Sequence, residues 1–351
     1  MPRFRFQALL AAAVLGGCAD PFPPLPPPEE ILVVANRTDG SLSLIPVGAP
    51  TSGTTLTLGV ADVEAVAALD DRLLALSPSA AVLSVIDLQA LRVTGTIQLP
   101  SGSRPSAVAI INDSIAYVAI PSTDGIVRVN YRTGAQAPLA IGSYPQGLFF
   151  TRGRLFVLNG NLTLCGTPPA PCVAGESWLS VVDPILNLPA SGGDSIPLPG
   201  PGNAQYAAVA GDGLLYVMNA GSATTEARLS IVDPVRREEV ANFAGFGLLP
   251  GPIATDGGDR LFISSPTQGL MEFDVRLRTV VRGEGEGVDI PGIAGVDTDS
   301  RGRIYALEPG ACTGTSTGAV RVLDEAFVDI RTIPVGNCAV ALVITRFQRE
   351  E

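Results

Sequence analysis

The side chains that could do chemistry in this chain are carboxylates, arginines, amides, hydroxyls and cysteines. The 351-residue sequence has no histidine, and all 23 of its basic residues are arginine. Without histidine and lysine it cannot form a Ser-His-Asp or Cys-His relay, a histidine metal site or a lysine Schiff base. Any catalysis would therefore depend on carboxylates, arginine, tyrosine or hydroxyl groups.

Carboxylates recur at one position of a repeated pattern, at the end of a short apolar run. Five repeats have a carboxylate there, and one has the amide of asparagine: Asp87, Asn130, Asp183, Asp233, Asp274 and Asp324. An Asp or Asn side chain at the end of a strand can accept hydrogen bonds from the backbone that follows and close a tight turn. We therefore interpret the repeated carboxylates as turn residues, and the sequence predicts no catalytic residue among them.

One further acidic segment could bind a metal. Glu284, Glu286 and Asp289 lie close together in the sequence, and oxygen ligands at such spacing can hold Ca²⁺. The glycines between them fit a solvated turn equally well, and we adopt that interpretation. The sequence therefore predicts no metal site and no cofactor.

The elements that carry these residues are short apolar runs, which come in pairs about 40 to 45 residues apart, with one longer interval. The first runs are Leu32–Asn36, Leu73–Ser77, Ala116–Ile120, Leu155–Asn159, Leu215–Asn219, Leu261–Ser265 and Ile304–Glu308. A third run and an alanine-rich fourth run complete each period. Four strands per period are typical of a β-propeller blade. The sequence thus predicts an all-β, seven-bladed β-propeller with four antiparallel strands per blade.

The phase of the repeat predicts how the ring closes. The chain enters on the second strand of a blade at Leu32 and leaves on an alanine-rich run, Cys338–Ile344. We expect this last run to be the innermost strand of the N-terminal blade, which would remove the free sheet edges. The predicted propeller covers residues 31–347, followed by a tail at 348–351.

The amino-acid sequences of the repeats resemble those of a known family. Leu215-Tyr-Val-Met-Asn219, Leu229-Ser-Ile-Val-Asp233 and Thr332-Ile-Pro-Val-Gly336 are similar to the YVTN-type propeller repeat. The resemblance covers about residues 31–347 and implies the propeller fold. Members include surface-layer and secreted proteins, and the wider superfamily includes lactonases and quinoprotein-like enzymes, so the resemblance does not imply one function.

The N-terminal segment predicts the cellular location of the protein. Residues 1–17 combine two arginines, a short apolar stretch and small residues, as in a secretory signal peptide. Leu15-Gly16-Gly17-Cys18 resembles the lipobox of bacterial lipoproteins, which implies lipid attachment at Cys18. Residues 18–30 would then form a proline-rich tether. The predicted location is the bacterial cell envelope, with a lipid anchor as the contact with the membrane.

Four cysteines remain after Cys18, and three pairings are possible. Cys165 and Cys172 lie in one loop, while Cys312 and Cys338 lie in connections that strand alternation brings to the same end of the ring. We therefore favour Cys165–Cys172 and Cys312–Cys338 over the other pairings and over a four-cysteine metal site. The long loops of this end form the predicted binding face, with Trp178, Asn219 and Glu308 as candidate contact residues.

These observations favour a binding or scaffold module over an enzyme. The net charge of −11 argues against nucleic acid as a partner, and we expect a monomer whose partner is an envelope protein or a glycan. One alternative is a lactonase-like or other hydrolase with channel carboxylates and a divalent metal, although Glu64 is the main acidic residue at the inner-strand positions. A second alternative is an accessory lipoprotein of outer-membrane protein assembly.

Overall fold

The computed structural model describes residues 27–349, apart from 168–169, 193 and 314–315. Its strands form seven small antiparallel sheets arranged in a ring, which is the predicted seven-bladed β-propeller. The predicted signal peptide, Cys18, most of the proline-rich tether and the last two residues of the tail lie outside the described residues.

Each blade has four strand positions, and the blades are numbered from 1 to 7 around the ring. In that order, the innermost strands are Ala339–Phe347, Ala65–Leu69, Ala107–Ile110, Pro145–Thr151, Ala204–Val209, Ile253–Thr255 and Gly295–Thr298. The second strands are Glu29–Asn36, Arg72–Ser77, Ile115–Ile120, Arg154–Asn159, Leu215–Asn219, Arg260–Ser265 and Ile304–Glu308. The third strands are Ser41–Pro46, Val82–Asp87, Gly125–Asn130, Ser177–Asp183, Arg228–Asp233, Gly269–Asp274 and Thr317–Leu323.

The outer strands are Thr54–Thr57, Arg92–Gln98, Gln136–Ala140, Glu238–Phe243, Thr279–Arg282 and Asp329–Asn337, while blade 4 has two short outer segments, Leu188–Pro189 and Ser195–Leu198. Blade 4 also carries an added hairpin, Leu162–Cys165 paired with Ala170–Val173. The described helices are two short 3₁₀ turns, Pro50–Ser52 and Pro121–Thr123.

The C-terminal strand closes the ring as the sequence predicts. It pairs antiparallel with the first strand of the chain, with Ile344 opposite Leu32 and Leu342 opposite Val34. The first and last strands of the chain therefore belong to the same blade. The first strand begins at Glu29, so the chain enters the sheet two residues before the predicted boundary.

The apolar core is divided among the junctions between blades. Seven clusters of buried side chains lie between successive blades, including one between blades 7 and 1 that contains Leu32, Val34, Tyr305 and Leu307. Each strand contributes to two junctions because its side chains alternate between the two faces of its sheet. This arrangement holds the inner strands at fixed positions around a central channel.

Strand direction divides the connections between two ends of the ring. The upper face contains the loops from second to third strands and the crossovers to the next blade. The lower face contains the hairpin turns from first to second and from third to outer strands. The chain enters at the lower face, because Glu29 is at the lower end of blade 1.

The structure differs from the sequence prediction at the innermost strand of blade 7. The alanine-rich fourth run that the sequence pattern predicts for this blade is Gly292–Val296, whereas the strand is Gly295–Thr298. Ile293, an apolar residue of the predicted run, lies in the preceding loop together with Ile290, and both are buried between blades 6 and 7. Loop residues that fill a core junction give the same apolar signal as a strand.

Candidate functional site

The repeated strand-end carboxylates are turn residues, as predicted. Oδ1 of Asp233 accepts hydrogen bonds from the backbone N–H groups of Val235, at 2.8 Å, and Arg236, at 2.9 Å. The same two-bond pattern recurs at Asp87, Asn130, Asp183 and Asp324, and Asp274 makes one such bond. The Arg236 N–H is the main cause of a lowered pKa at Asp233. These carboxylates stabilise the lower-face turns.

Asparagines at the ends of the second strands have a comparable structural role on the upper side. In blade 1, the Asn36 amide donates to the Ser43 hydroxyl at 3.1 Å and accepts from the Gly336 N–H at 3.0 Å. Asn219, a candidate contact residue of the sequence analysis, is only 1% exposed and donates to the Ser230 hydroxyl at 2.8 Å. Its amide is therefore used inside blade 5.

The other two candidate contact residues lie at the edge of the upper loops. Trp178 is half-buried at the start of the third strand of blade 4, and its carbonyl oxygen accepts from the Asn159 amide at 3.2 Å. Glu308 is paired with the Arg321 guanidinium at 2.7 Å. The structure thus leaves Trp178 partly accessible and ties Glu308 to its own blade.

Both disulfide bonds have the predicted pairing and lie on the upper face. Cys312–Cys338 joins a loop of blade 7 to the residue just before the closing strand. Cys165–Cys172 joins the two strands of the added hairpin in blade 4. Leu164 on this hairpin is 64% exposed. The bond makes the hairpin a cross-linked projection with an apolar side chain at its surface.

The central channel opens on the upper face into a cavity of about 400 Å³. Its polar side chains come from the starts of the inner strands of blades 2 to 5, namely Glu64, Ser106, Gln146 and Gln205, together with Arg37. The opposite wall is apolar and includes Pro252, Ile253 and Val340. We call this cavity the upper mouth. Side chains that can form hydrogen bonds are therefore concentrated in one half of the cavity, and Tyr206 also lines it.

The charged side of the upper mouth is an ion-pair triad. The Arg37 guanidinium contacts Glu64 and lies 3.2 Å from Asp62. Burial raises the pKa of Glu64, although the Arg37 guanidinium acts in the opposite direction. Two carboxylates against one guanidinium give the triad an excess of negative charge when both are ionised. Arg37 was missed by the sequence analysis, and its position directly after Asn36 was the available signal.

The amide side of the upper mouth is only partly occupied by internal bonds. The Gln146 amide donates to Oδ1 of Asn203, and Nδ2 of Asn203 donates to the Gly221 carbonyl at 2.9 Å. The Gln205 side chain forms no hydrogen bond within the described part of the chain, and it is half-buried in the cavity wall. Gln205 is therefore available to a ligand, and Gln146 is held in position beside it.

The acidic side chains are the remaining groups that could hold a metal ion. Among the described residues, no group of three or more carboxylate or cysteine side chains is placed to hold a metal ion. Glu284 and Glu286 are exposed, and the Gly285 N–H donates to the Gln268 side chain at 2.9 Å, as in a solvated turn. Glu64 is the carboxylate among the residues that line the upper mouth, and Asp62 of the triad is not among them.

A larger groove of about 710 Å³ lies at the perimeter between the outer strands of blades 1 and 7. Its walls are threonine, proline and isoleucine side chains, and Arg331 is its charged residue. The divergence of two blades toward the perimeter accounts for such a groove. We therefore place the candidate site at the upper mouth, where polar side chains from four blades converge.

The loops around the upper mouth are acidic. Exposed carboxylates there are Asp39, Asp124, Glu176, Glu226, Glu284, Glu286 and Asp289. Within the upper loops that the structure describes, Arg104 is the one exposed arginine. A surface of one sign raises the local concentration of oppositely charged partners and speeds their association. The described upper loops therefore form a surface of predominantly negative charge.

Comparison with known proteins shows the fold. The hydrazine synthase of Kuenenia stuttgartiensis superposes with a TM-score of 0.65 and 15% identity, over 85% of this chain and 93% of that chain. Apo AztD from Citrobacter koseri superposes with a TM-score of 0.59 and 13% identity, over 91% of this chain and 98% of that chain. No protein-family model and no curated protein matches the sequence. At these identities the likeness extends to the β-propeller architecture alone.

Proposed function

We propose that this protein is a binding module of the cell envelope that takes a basic segment of a partner protein at its upper mouth. The observation that carries the proposal is the half-polar cavity, in which the Arg37–Glu64 pair and the amides of Gln146 and Gln205 converge. A guanidinium or ammonium group can donate to Glu64 and to the amide oxygens, while its aliphatic stem packs on the apolar wall.

The cross-linked loops support the same face as the contact surface. Loops with binding roles are commonly held by a rigid scaffold. Here the scaffold is the closed ring, and Cys165–Cys172 restricts the most prominent loop. A loop ordered before binding loses less conformational entropy when the partner arrives.

The proposed location is supported by the cysteines and the N-terminal sequence. The two disulfide bonds indicate a protein outside the cytoplasm. Among the described residues, no helix has the length and apolarity needed to cross a bilayer. A lipid on Cys18 is part of the proposal. Because the chain enters the ring at Glu29 on the lower face, such an anchor would turn the upper face away from the membrane.

The test is a binding measurement with the full chain. A short fluorescent peptide rich in arginine is titrated against the wild type, Glu64→Gln and the lower-face control Asp70→Asn. We expect Glu64→Gln to weaken binding about tenfold or more, because one charged partner in the cavity is lost. The control should bind like the wild type, since Asp70 is exposed on the opposite face.

A second peptide, with glutamate in place of arginine, tests the sign of the charge. We expect it to bind more weakly than the arginine peptide at low salt, with the difference shrinking at high salt. Equal binding of the two peptides, or equal binding by Glu64→Gln and the wild type, would overturn the proposal.

A further inference from the structure

The lower face carries large aliphatic side chains at the tips of consecutive turns. In the third-to-outer-strand turns of blades 4, 5 and 6, Ile185 is 85% exposed, Val235 is 68% exposed and Leu277 is 62% exposed. Leu186 beside Ile185 is exposed as well. The turn tips of blades 1, 2 and 3 carry small or polar side chains, and in blade 7 the exposed aliphatic residue, Val328, follows the turn. The exposed tips therefore form one arc, which we call the blade 4–6 arc.

The blades that carry the arc are in direct contact on this side. The Arg237 guanidinium on blade 5 donates to the Ser191 carbonyl on blade 4 at 2.8 Å. The first-to-second-strand turns of blades 5 and 6 are also joined, because the Gly211 N–H donates to the Gly258 carbonyl at 2.9 Å. The three turns of the arc therefore belong to consecutive blades in contact, and all three lie on the lower face.

Arginines stand beside the aliphatic tips. Arg236 and Arg276 have side chains that are 73% and 71% exposed, and their nearest carboxylate oxygens lie 3.7 Å away. Arg152 and Arg278 are also exposed on this face. The strand-end carboxylates of the same turns, such as Asp233, use Oδ1 for backbone N–H groups. Arg236 and Arg276 thus form exposed ion pairs with Asp233 and Asp259, and anionic headgroups can compete with these carboxylates for the accessible guanidinium groups.

Large aliphatic tips flanked by arginine suit the interface of a bilayer. The aliphatic side chains can enter the boundary between headgroups and acyl chains, while guanidinium groups meet anionic headgroups. Exposed carboxylates occur on both faces, for example Asp212 and Asp259 on the lower face, whereas Arg104 is the one exposed arginine in the described upper loops. The chain also enters the ring on the lower face, at Glu29, which places the N-terminal segment on the side of the arc.

We propose that the blade 4–6 arc rests on a lipid surface with anionic headgroups, with Ile185, Leu186, Val235 and Leu277 as the inserting side chains. The inference extends the proposed function, in which the lower face is turned toward the membrane. It does not require the lipid on Cys18, because it rests on the arc alone.

A position-resolved fluorescence experiment tests the contact. Tryptophan replaces one exposed leucine in the full chain, either in the arc (Leu186→Trp) or on the upper-face hairpin (Leu164→Trp). Each variant is mixed with vesicles of phosphatidylcholine and phosphatidylglycerol that contain lipids brominated on their acyl chains. Trp178 and the N-terminal residues are the same in both proteins. We expect bromine quenching and a blue shift for Leu186→Trp but not for Leu164→Trp.

Partitioning of the protein between buffer and vesicles measures how much the aliphatic side chains of the arc contribute to binding. The triple variant Ile185→Ser, Leu186→Ser and Leu277→Ser should bind the same vesicles about tenfold or more weakly than the wild type, since three aliphatic side chains no longer enter the interface. Leu164→Ser with Leu249→Ser, two exposed upper-face leucines, is the matched control and should bind like the wild type.

Three results would overturn the proposal. One is the absence of quenching at position 186 while the protein is bound to vesicles, which would mean that another part of the chain makes the contact. Another is equal partitioning of the triple variant and the wild type. The third is loss of a dimer in the triple variant by size-exclusion chromatography without loss of vesicle binding, which would assign the arc to a second copy of the chain. Peptide binding at the upper mouth is measured without vesicles, so its failure is separate from these results.

Discussion

Polar side chains of the lower-face turns and polar side chains of the upper mouth are used differently. On the lower face, Asp233 and Asp299 accept several hydrogen bonds from their own blades. On the upper face, Gln205 forms no internal side-chain hydrogen bond in the described residues, and Glu64 lines an open cavity beside Arg37. The same residue types therefore hold turns together at one end and line a cavity at the other.

This difference suggests a division of roles that can be measured. Substitutions of lower-face polar residues should reduce the stability of the fold and leave binding at the upper mouth unchanged. Substitutions in the upper mouth should do the reverse, because few of its side-chain bonds support the blades. Four sets of substitutions can test this division. They are ordered from the largest to the smallest expected change in the free energy of unfolding.

The largest effect is expected at Asp299, whose side chain is fully buried. It accepts from Nε of Arg303 at 2.6 Å, from the Tyr305 hydroxyl at 3.0 Å and from two backbone N–H groups. Asp299→Ala leaves these donors without their acceptor, which should lower the free energy of unfolding by about 3 to 5 kcal/mol. Chemical denaturation measures the loss.

The control for this prediction is a carboxylate on the other face. Asp124 is exposed and accepts one backbone bond, from the Tyr144 N–H. Asp124→Ala should change the free energy of unfolding by only about 0.5 kcal/mol. Equal losses in the two variants would contradict the division between the faces.

The two disulfide bonds test whether all of the upper face is separate from the fold. Cys312–Cys338 spans 26 residues and holds the start of the closing strand, so replacing both cysteines with serine should cost about 3 kcal/mol. Cys165–Cys172 spans 7 residues within the added hairpin. Its loss should hardly change global unfolding, because the hairpin can open by itself, but should weaken partner binding.

Thermal unfolding of the two double serine variants, with and without reductant, separates these outcomes. A larger loss of stability from the hairpin bond than from Cys312–Cys338 would show that the hairpin supports the ring. The comparison between faces would then have to exclude the hairpin from the binding surface.

Asp297 lies between the two faces, on the innermost strand of blade 7, and gives a pH prediction. Its carboxylate accepts from the Ile344 N–H at 2.7 Å on the neighbouring inner strand. Burial raises its pKa from 3.8 to about 6, although the backbone N–H groups of Ile344 and Thr298 act in the opposite direction. The folded protein therefore holds this proton more tightly than the unfolded chain does.

The direction in which stability changes with pH follows from this difference in pKa between the folded protein and the unfolded chain. The contribution of Asp297 to stability is full below about pH 4, falls as the pH rises to about 6 and is constant above that. Asp297→Asn does not titrate, so its stability relative to wild type should rise by about 1 to 3 kcal/mol across this range. Denaturant unfolding of both proteins at several pH values measures this change in relative stability. If the two free energies of unfolding differed by the same amount at every pH, the raised pKa of Asp297 would be refuted.

Much of the fold could be predicted from the sequence because each blade repeats the same local pattern. Asp233 could be interpreted as a turn residue from its recurrence, and the closing strand followed from the phase of the repeat. The candidate site could not be found in this way. Arg37, Glu64, Gln146 and Gln205 differ from blade to blade, and they converge only because the ring brings the starts of inner strands together.

The smallest effect is expected from exchanging one polar pair between blades. In blade 1, Asn36 donates to Ser43, seven residues later, at 3.1 Å, whereas blade 2 has Ser77 and Ser84 at the same spacing. Both blade 2 hydroxyls are buried and form no hydrogen bond in the described residues. Ser77→Asn should let the longer amide reach Ser84 and raise the free energy of unfolding by about 1 kcal/mol.

The opposite substitution, of serine for asparagine in another blade, tests the same polar pair. Asn159→Ser in blade 4 removes the bonds that Asn159 forms with the Ser180 hydroxyl and the Ser143 N–H, and should cost about 1 to 2 kcal/mol. Urea denaturation of both variants measures the pair. A loss in Ser77→Asn would mean that blade 2 is packed too tightly for the amide, since overpacking is itself destabilising. A gain would show that the asparagine supports the blade wherever it occurs, as expected for a residue that belongs to the scaffold and not to the binding surface.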